Sequence, residues 1–191
     1  MRTICEAAGA SANGVTYHFG SKQALFAEIV ENWTSQQLQL AERVLKAKPE
    51  SREDFRVRLT LFLGEALDAL HRERDVVRII VRGEEILREV GGAAGRRLLA
   101  FNRMIVRFIR AGVEIGVVSD DVDVVVVAGL LHDRLVNQAA FGPAHKKHLG
   151  VSTIDESYRD RWVEANLRIV LGGILCPQED SPPPRHADIR R

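Results

Sequence analysis

Cysteine is nearly absent from this 191-residue chain: Cys5 and Cys176 are the only two. So isolated a pair, without metal-ligand spacing, makes neither a disulfide framework nor a zinc site. Proline is scarce at six residues, and the abundance of Ala, Val, Leu, Arg and Glu leans toward helix. No sign of charge dominates, because 27 Lys and Arg against 26 Asp and Glu leave a net charge of +1. Any nucleic-acid contact therefore has to come from a local patch. No apolar run reaches transmembrane length, and no basic-then-apolar export signal opens the chain. The expected setting is reducing and cytoplasmic, with no membrane partner. What is present is 46% hydrophobic residues for a core and 28% charged residues for a surface. That suits one good-sized domain, or a small one attached to a larger one.

Hydrophobic spacing predicts helices almost throughout. Ile4 to Ala8 reads as a helix stopped by Gly9, and Ser11 as the cap of a short helix ended by Gly20. Ser21 caps the next helix, whose stripe is Leu25, Phe26, Ile29, Val30 and Trp33. The pattern weakens over "TSQQLQ" and resumes at Leu40, Ala41, Val44 and Leu45, which suggests a bridge between two small cores. "KAKPES" at 46–51 marks a boundary. Further helices follow over Phe55–Leu70, over Val76–Leu87, and over Leu98–Gly112 after the break "REVGGAAG". "GVVSDD" is another stop, with Ser119 or Asp120 available as a cap. "VDVVVVAGLL" has strand propensity, but the apolar pattern runs on to Phe141 without a turn signal, so helix is expected. A helix apolar on all sides needs cover on all sides, from its own domain and from a second subunit. "GPAHKKHLGVST" reads as a loop, 155–174 as the last helix, and 176–191 as a disordered tail. No internal repeat is present.

Functional residues concentrate in "GASANGVTYHFGSK", residues 9–22. A helix, a Gly-containing turn and a capped short helix are the parts of a helix-turn-helix, whose second helix enters the DNA major groove. Ala12 and Gly14 allow a close backbone approach, and Asn13 offers hydrogen bonds to a base edge or a phosphate. Tyr17, His18 and Lys22 supply donors that fix the docking register on phosphates.

"ICEAAGASANGVTYHFGSKQAL" resembles the DNA-binding signature of TetR/AcrR-type bacterial transcription regulators. Ile4, Glu6, Ala8 and Gly9 fall on its positions, as do Ser11 and the closing His18, Phe19, Ser21, Lys22 and Leu25. The sharp likeness spans roughly the first thirty-three residues. It implies a phosphate contact at Arg2 and a leading edge of the recognition helix at Ser11, Ala12, Asn13 and Gly14. It also implies backbone or base contacts from Tyr17 and His18 and a phosphate ligand at Lys22. Thr16 stands where the family usually has Tyr, so one aromatic phosphate contact is lost or shortened to a hydroxyl. TetR-like proteins have a further helix before the segment that begins here at Met1. The expectation is therefore an upstream start or a truncated gene, with Ile4, Val15, Phe19 and Leu25 short of a partner surface.

Outside the head, the dull readings outweigh the sharp ones. His145 and His148 fit a solvated basic loop better than a metal pair. His132 beside Asp133 fits a buried, hydrogen-bonded histidine better than catalysis, since no nucleophile stands at a suitable spacing. Phe62, Phe101, Met104 and Phe108 read first as core, and Arg82 as part of a solvated face. These five and His132 are also the candidate lining of an effector pocket.

The resulting expectation is an all-α chain with a helix-turn-helix head lacking its first helix and a helical ligand-binding and dimerisation domain. The head and its connecting helix take 1–45, the effector-binding and dimerisation domain 51–175, and the tail 176–191. The expected function is a ligand-responsive repressor that binds a palindromic double-stranded operator as a homodimer, with no catalytic residue, metal or cofactor. One rival is a regulator remnant: a dimeric small-molecule-binding module without DNA binding. The other is an all-α enzyme built on His132 and Asp133.

Overall fold

The computed structural model describes residues 5, 6, 8, 9, 11–82, 93–152 and 154–175. Arg2 and the tail 176–191 therefore lie outside the described residues, as do 83–87 of the expected Val76–Leu87 helix. Seven α-helices occur among the described residues: α1 Ala12–Phe19, α2 Lys22–Leu45, α3 Arg52–Arg72, α4 Arg74–Arg82, α5 Ala93–Glu114, α6 Val124–Leu149 and α7 Glu156–Ile174. The chain is all-α, and the described residues include an isolated bridge between Val118 and Leu175.

Helix ends follow local chemistry. The Ser11, Ser21 and Ser51 hydroxyls accept from the amides of Gly14, Ala24 and Asp54, each three residues on, satisfying donors the helix itself cannot. Gly20 ends α1 at φ 73°, donating its amide to the Thr16 carbonyl. That left-handed geometry favours glycine.

A single hydrophobic cluster runs from Phe26 on α2 to Ile174 on α7. Phe55 stacks on Phe108 with centroids 4.9 Å apart, and the Arg58 guanidinium lies 4.8 Å from the Phe108 ring centre. α2 packs along α5 and α3. Phe26, Val30 and Trp33 join the same described cluster as Ala41, Val44 and Leu45, so the two apolar ends of α2 share it. Thr34 and Gln37, from the polar stretch, are buried, and Thr34 returns its hydroxyl to the Val30 carbonyl at 2.8 Å.

Three boundaries differ from expectation. α5 begins at Ala93, inside the supposed break. α6 is capped by Asp123, whose carboxylate accepts from Val125 and Val126, while the Ser119 amide instead donates to the Ile174 carbonyl. α6 also continues through "GPAHKKHL" to Leu149 and stops at Gly150, φ 68°. Lys146, Lys147 and His148 in its last turn suit the negative end of the helix dipole.

Candidate nucleic-acid interface

α1 is eight residues long, too short to stand alone, so it depends on its caps and on α2. Cys5 and Glu6 are helical, Ala8 and Gly9 form a turn, and Gly9 has φ 62°. Two helical residues, the turn and α1 thus follow in the expected order, while Ile4 and Ala7 of the expected first helix lie outside the described residues. Val15 and Phe19, four apart, turn toward the molecule and are half-buried, as is Leu25 at the start of α2.

The other face is bare. Asn13, Thr16, Tyr17 and His18 are exposed, and so is Lys22 in the first turn of α2. Asn13, Thr16 and Tyr17 share one face by their spacing of three and four. Tyr17 is 85% exposed, an unusual position for a ring that can bury so much surface. Its partner in the chain is His18, edge-on at 5.4 Å. Ser11 is exposed, but its hydroxyl is occupied by the cap to Gly14 at 2.9 Å. Gly14 is half-buried, and a Cβ there would stand 2.9 Å from the Ser11 oxygen. Ala12 lies in the first turn of α1.

The candidate effector residues do not form one site. Phe62 is fully buried and packs on Phe101 at 5.6 Å between centroids. Phe108 is buried under Arg58, and Met104 is buried beside it. Arg82 is exposed at the end of α4. Phe101 and His132 share a small cavity, their rings 5.9 Å apart, whereas Met104 and Phe108 line a separate groove with Leu45 and Lys48. Trp33, Thr34 and Gln37 of α2 join Leu70, Leu135 and Val136 in the lining of the Phe101–His132 cavity and were not foreseen as such. A sequence signal for them existed: Val30, Trp33, Gln37, Ala41 and Val44 form a single helical stripe that runs straight through the glutamine. Burial lowers the pKa of His132 from its ordinary value, outweighing the opposing pull of Asp133, so the ring is neutral at pH 7. A wider groove of about 910 Å³ between α3 and α7 is open to solvent and lined by both signs of charge. Arg159 there already pairs with Asp68 and Asp160 at 2.8 Å.

No described helix is long and apolar enough to cross a membrane. Residues 1–29 match the family model described as bacterial regulatory proteins, tetR family. No curated protein matches the chain. Among solved structures, the fold is similar to the ketosteroid transcriptional regulator KstR2 of Mycobacterium tuberculosis. That likeness has a TM-score of 0.69 at 18% identity, over 92% of this chain and 84% of that one. It is also similar to a TetR-family transcriptional regulator from Mesorhizobium loti, with a TM-score of 0.62 at 18% identity, over 91% and 85% of the two chains. The capped, solvent-facing helix and the body behind it agree with both comparisons: the amino-terminal segment carries the tetR-family signature, and the fold is similar to that of two transcriptional regulators.

Proposed function

We propose that the protein is a ligand-responsive repressor that binds a palindromic operator as a homodimer. The observation that carries the DNA contact is the bare face of α1. Asn13, Thr16, Tyr17 and His18 are exposed there, and Lys22 stands beside them. α1 enters the major groove, Asn13 meets a base edge or phosphate, and Tyr17, His18 and Lys22 hold the backbone.

The homodimer draws on a second surface. Arg134 donates to Asn166 at 2.8 Å and Gln138 to Tyr158 at 3.2 Å, so α6 and α7 run antiparallel. Val126 and Leu130 stand one turn apart on α6. Val125, Val126, Leu130 and Ile169 are each more than half exposed. So large an apolar strip on a soluble domain marks a partner surface, and two copies pack it as a four-helix bundle about a two-fold axis. The two heads then read half-sites about 34–36 Å apart. A ligand bound in the body shifts the population to a head spacing that no longer fits.

A salt-titrated DNA-binding assay tests this reading. Lys22→Ala weakens binding on all sequences and lowers the salt slope by about one unit; an unchanged slope removes the phosphate role. The half-buried Val15, Phe19 and Leu25 favour a second reading, a dimeric ligand-binding module that holds no DNA. Absence of salt-dependent DNA binding, with dimer and ligand binding intact, selects it.

A further inference from the structure

The cavity shared by Phe101 and His132 breaks the rule that buried polar atoms find partners. Trp33 and Gln37 from α2, Leu70 from α3, Phe101 from α5, and His132 and Leu135 from α6 enclose it. Trp33 is 6% exposed and Gln37 is 4% exposed. Neither the Trp33 Nε1–H nor the Gln37 Oε1 has a hydrogen-bond partner. Thr34, between them, is satisfied through the Val30 carbonyl and asks nothing of a ligand.

The two unpaired atoms are opposite in kind and one turn apart on the same face of α2. An indole N–H can only donate, and an amide oxygen can only accept. A hydroxyl answers both at once, accepting from the first and donating to the second. A ketone oxygen answers the indole alone. A carboxylate would bring an unpaired charge among hydrocarbon walls, where the one titratable ring, His132, is held neutral by burial. The remaining walls are aromatic and aliphatic, which suits a compact ring. Room for the centre of a water molecule amounts to about 10 Å³, enough for a single water. A ring therefore enters only by parting α2 from α5 and α6, and α2 is the helix that begins beside the DNA-facing residues.

We propose that this cavity is the effector subsite and selects an uncharged, compact ring alcohol or phenol, whose hydroxyl accepts from Trp33 Nε1–H and donates to Gln37 Oε1. The assignment rests on the ligand-responsive reading above and names the ligand class for it.

Calorimetric titration of the full chain with 2-indanol, 2-indanone, indane and indane-2-carboxylate tests it. The alcohol binds at least about tenfold tighter than the ketone or the hydrocarbon, and the carboxylate gives no measurable heat. Gln37→Leu and Trp33→Phe each bring the alcohol within roughly threefold of indane. Indane binding by either variant, at whatever affinity, reports that it is folded. Ketone binding equal to alcohol binding overturns the proposal, as does an alcohol preference that survives both substitutions. Failure of every uncharged probe to bind overturns it too, and leaves the cavity to a structural water. An operator recovered by in vitro selection separates the two layers. Alcohol binding that leaves DNA affinity unchanged keeps the subsite and removes the ligand response. DNA release by other compounds, with the alcohol ignored, removes the subsite and keeps the response.

Discussion

In α1, Asn13, Thr16, Tyr17 and His18 face solvent over half-buried Val15 and Phe19. In the body the arrangement is reversed twice: Thr34 and Gln37 are sealed among hydrocarbon, while Val126, Leu130 and Ile169 lie bare. Isolated surface hydrophobics need no explanation; buried polar groups and contiguous apolar patches do. The head offers hydrogen-bond donors to something polar and large. The body offers an apolar strip to something apolar and large, and two opposite polar atoms to something small. The difference teaches that side chains here are sorted by their partners and not by water alone.

The largest effect comes from charging the body's apolar strip. Leu130→Glu, with Ile169→Glu, puts unpaired carboxylates into the proposed subunit interface. The dimer dissociation constant then rises by at least about a hundredfold, read by sedimentation, while circular dichroism stays unchanged because both side chains start exposed. A wild-type chain that sediments as a monomer removes the interface. Next comes a matched pair of truncations. Phe108→Ala costs about 3–5 kcal/mol in denaturant unfolding, since Phe108 is 1% exposed between Phe55 and Arg58. Tyr17→Ala costs less than about 0.5 kcal/mol but weakens DNA binding. A Tyr17→Ala loss as large as that of Phe108→Ala means the ring packs inside the protein.

These contrasts were legible in the sequence to unequal degrees. The caps at Ser11 and Ser21 and the stop at Gly20 were readable because each acts over three or four residues. The helix over the valine run was readable because its apolar pattern outlasts any strand. The cavity was not, because it needs four helices to meet, and no one-dimensional pattern states which helix faces which. Gln37 sits on the stripe of α2, yet a glutamine among polar neighbours reads as surface until Phe101 and His132 arrive from elsewhere. Asp123 displaced Ser119 and Asp120 as a cap for a similar reason: the end of α7 takes up the Ser119 amide. Gly142 and Pro143 look like a break, but a proline removes only one helical hydrogen bond and α6 continues past it.

Smaller changes sharpen the comparison. Gly112 is buried in α5, and a Cβ there would stand 2.8 Å from both the Phe55 ring edge and a Val118 methyl. Gly112→Ala is therefore destabilising by about 1–3 kcal/mol before the helix-propensity gain of about 1 kcal/mol, and its thermal midpoint falls. Ser21→Ala and Ser51→Ala remove equivalent caps, each worth about 1 kcal/mol. The Ser51 change appears in global unfolding. The Ser21 change appears chiefly as faster amide exchange at Ala24 and weaker DNA binding, because the head adds little to the common core. Equal global losses at both positions would mean that head and body unfold as one unit.

The smallest expected effect concerns two histidines of the body. Burial is the leading cause lowering the pKa of His71 and of His132 below the ordinary 6.5. Asp68 and a hydrogen bond to the Gln138 backbone oppose it at His71, and Asp133 opposes it at His132. A base whose folded pKa is depressed binds fewer protons folded than unfolded, so its contribution is complete above 6.5 and declines as pH falls below that value. Unfolding free energy should therefore drop between about pH 7 and pH 5, and His132→Gln should remove part of that slope. The same substitution should also leave the alcohol preference of the cavity intact, because Trp33 and Gln37 carry it. If the slope is unchanged in His132→Gln, the ring is not excluded from water as its place beside Phe101 requires.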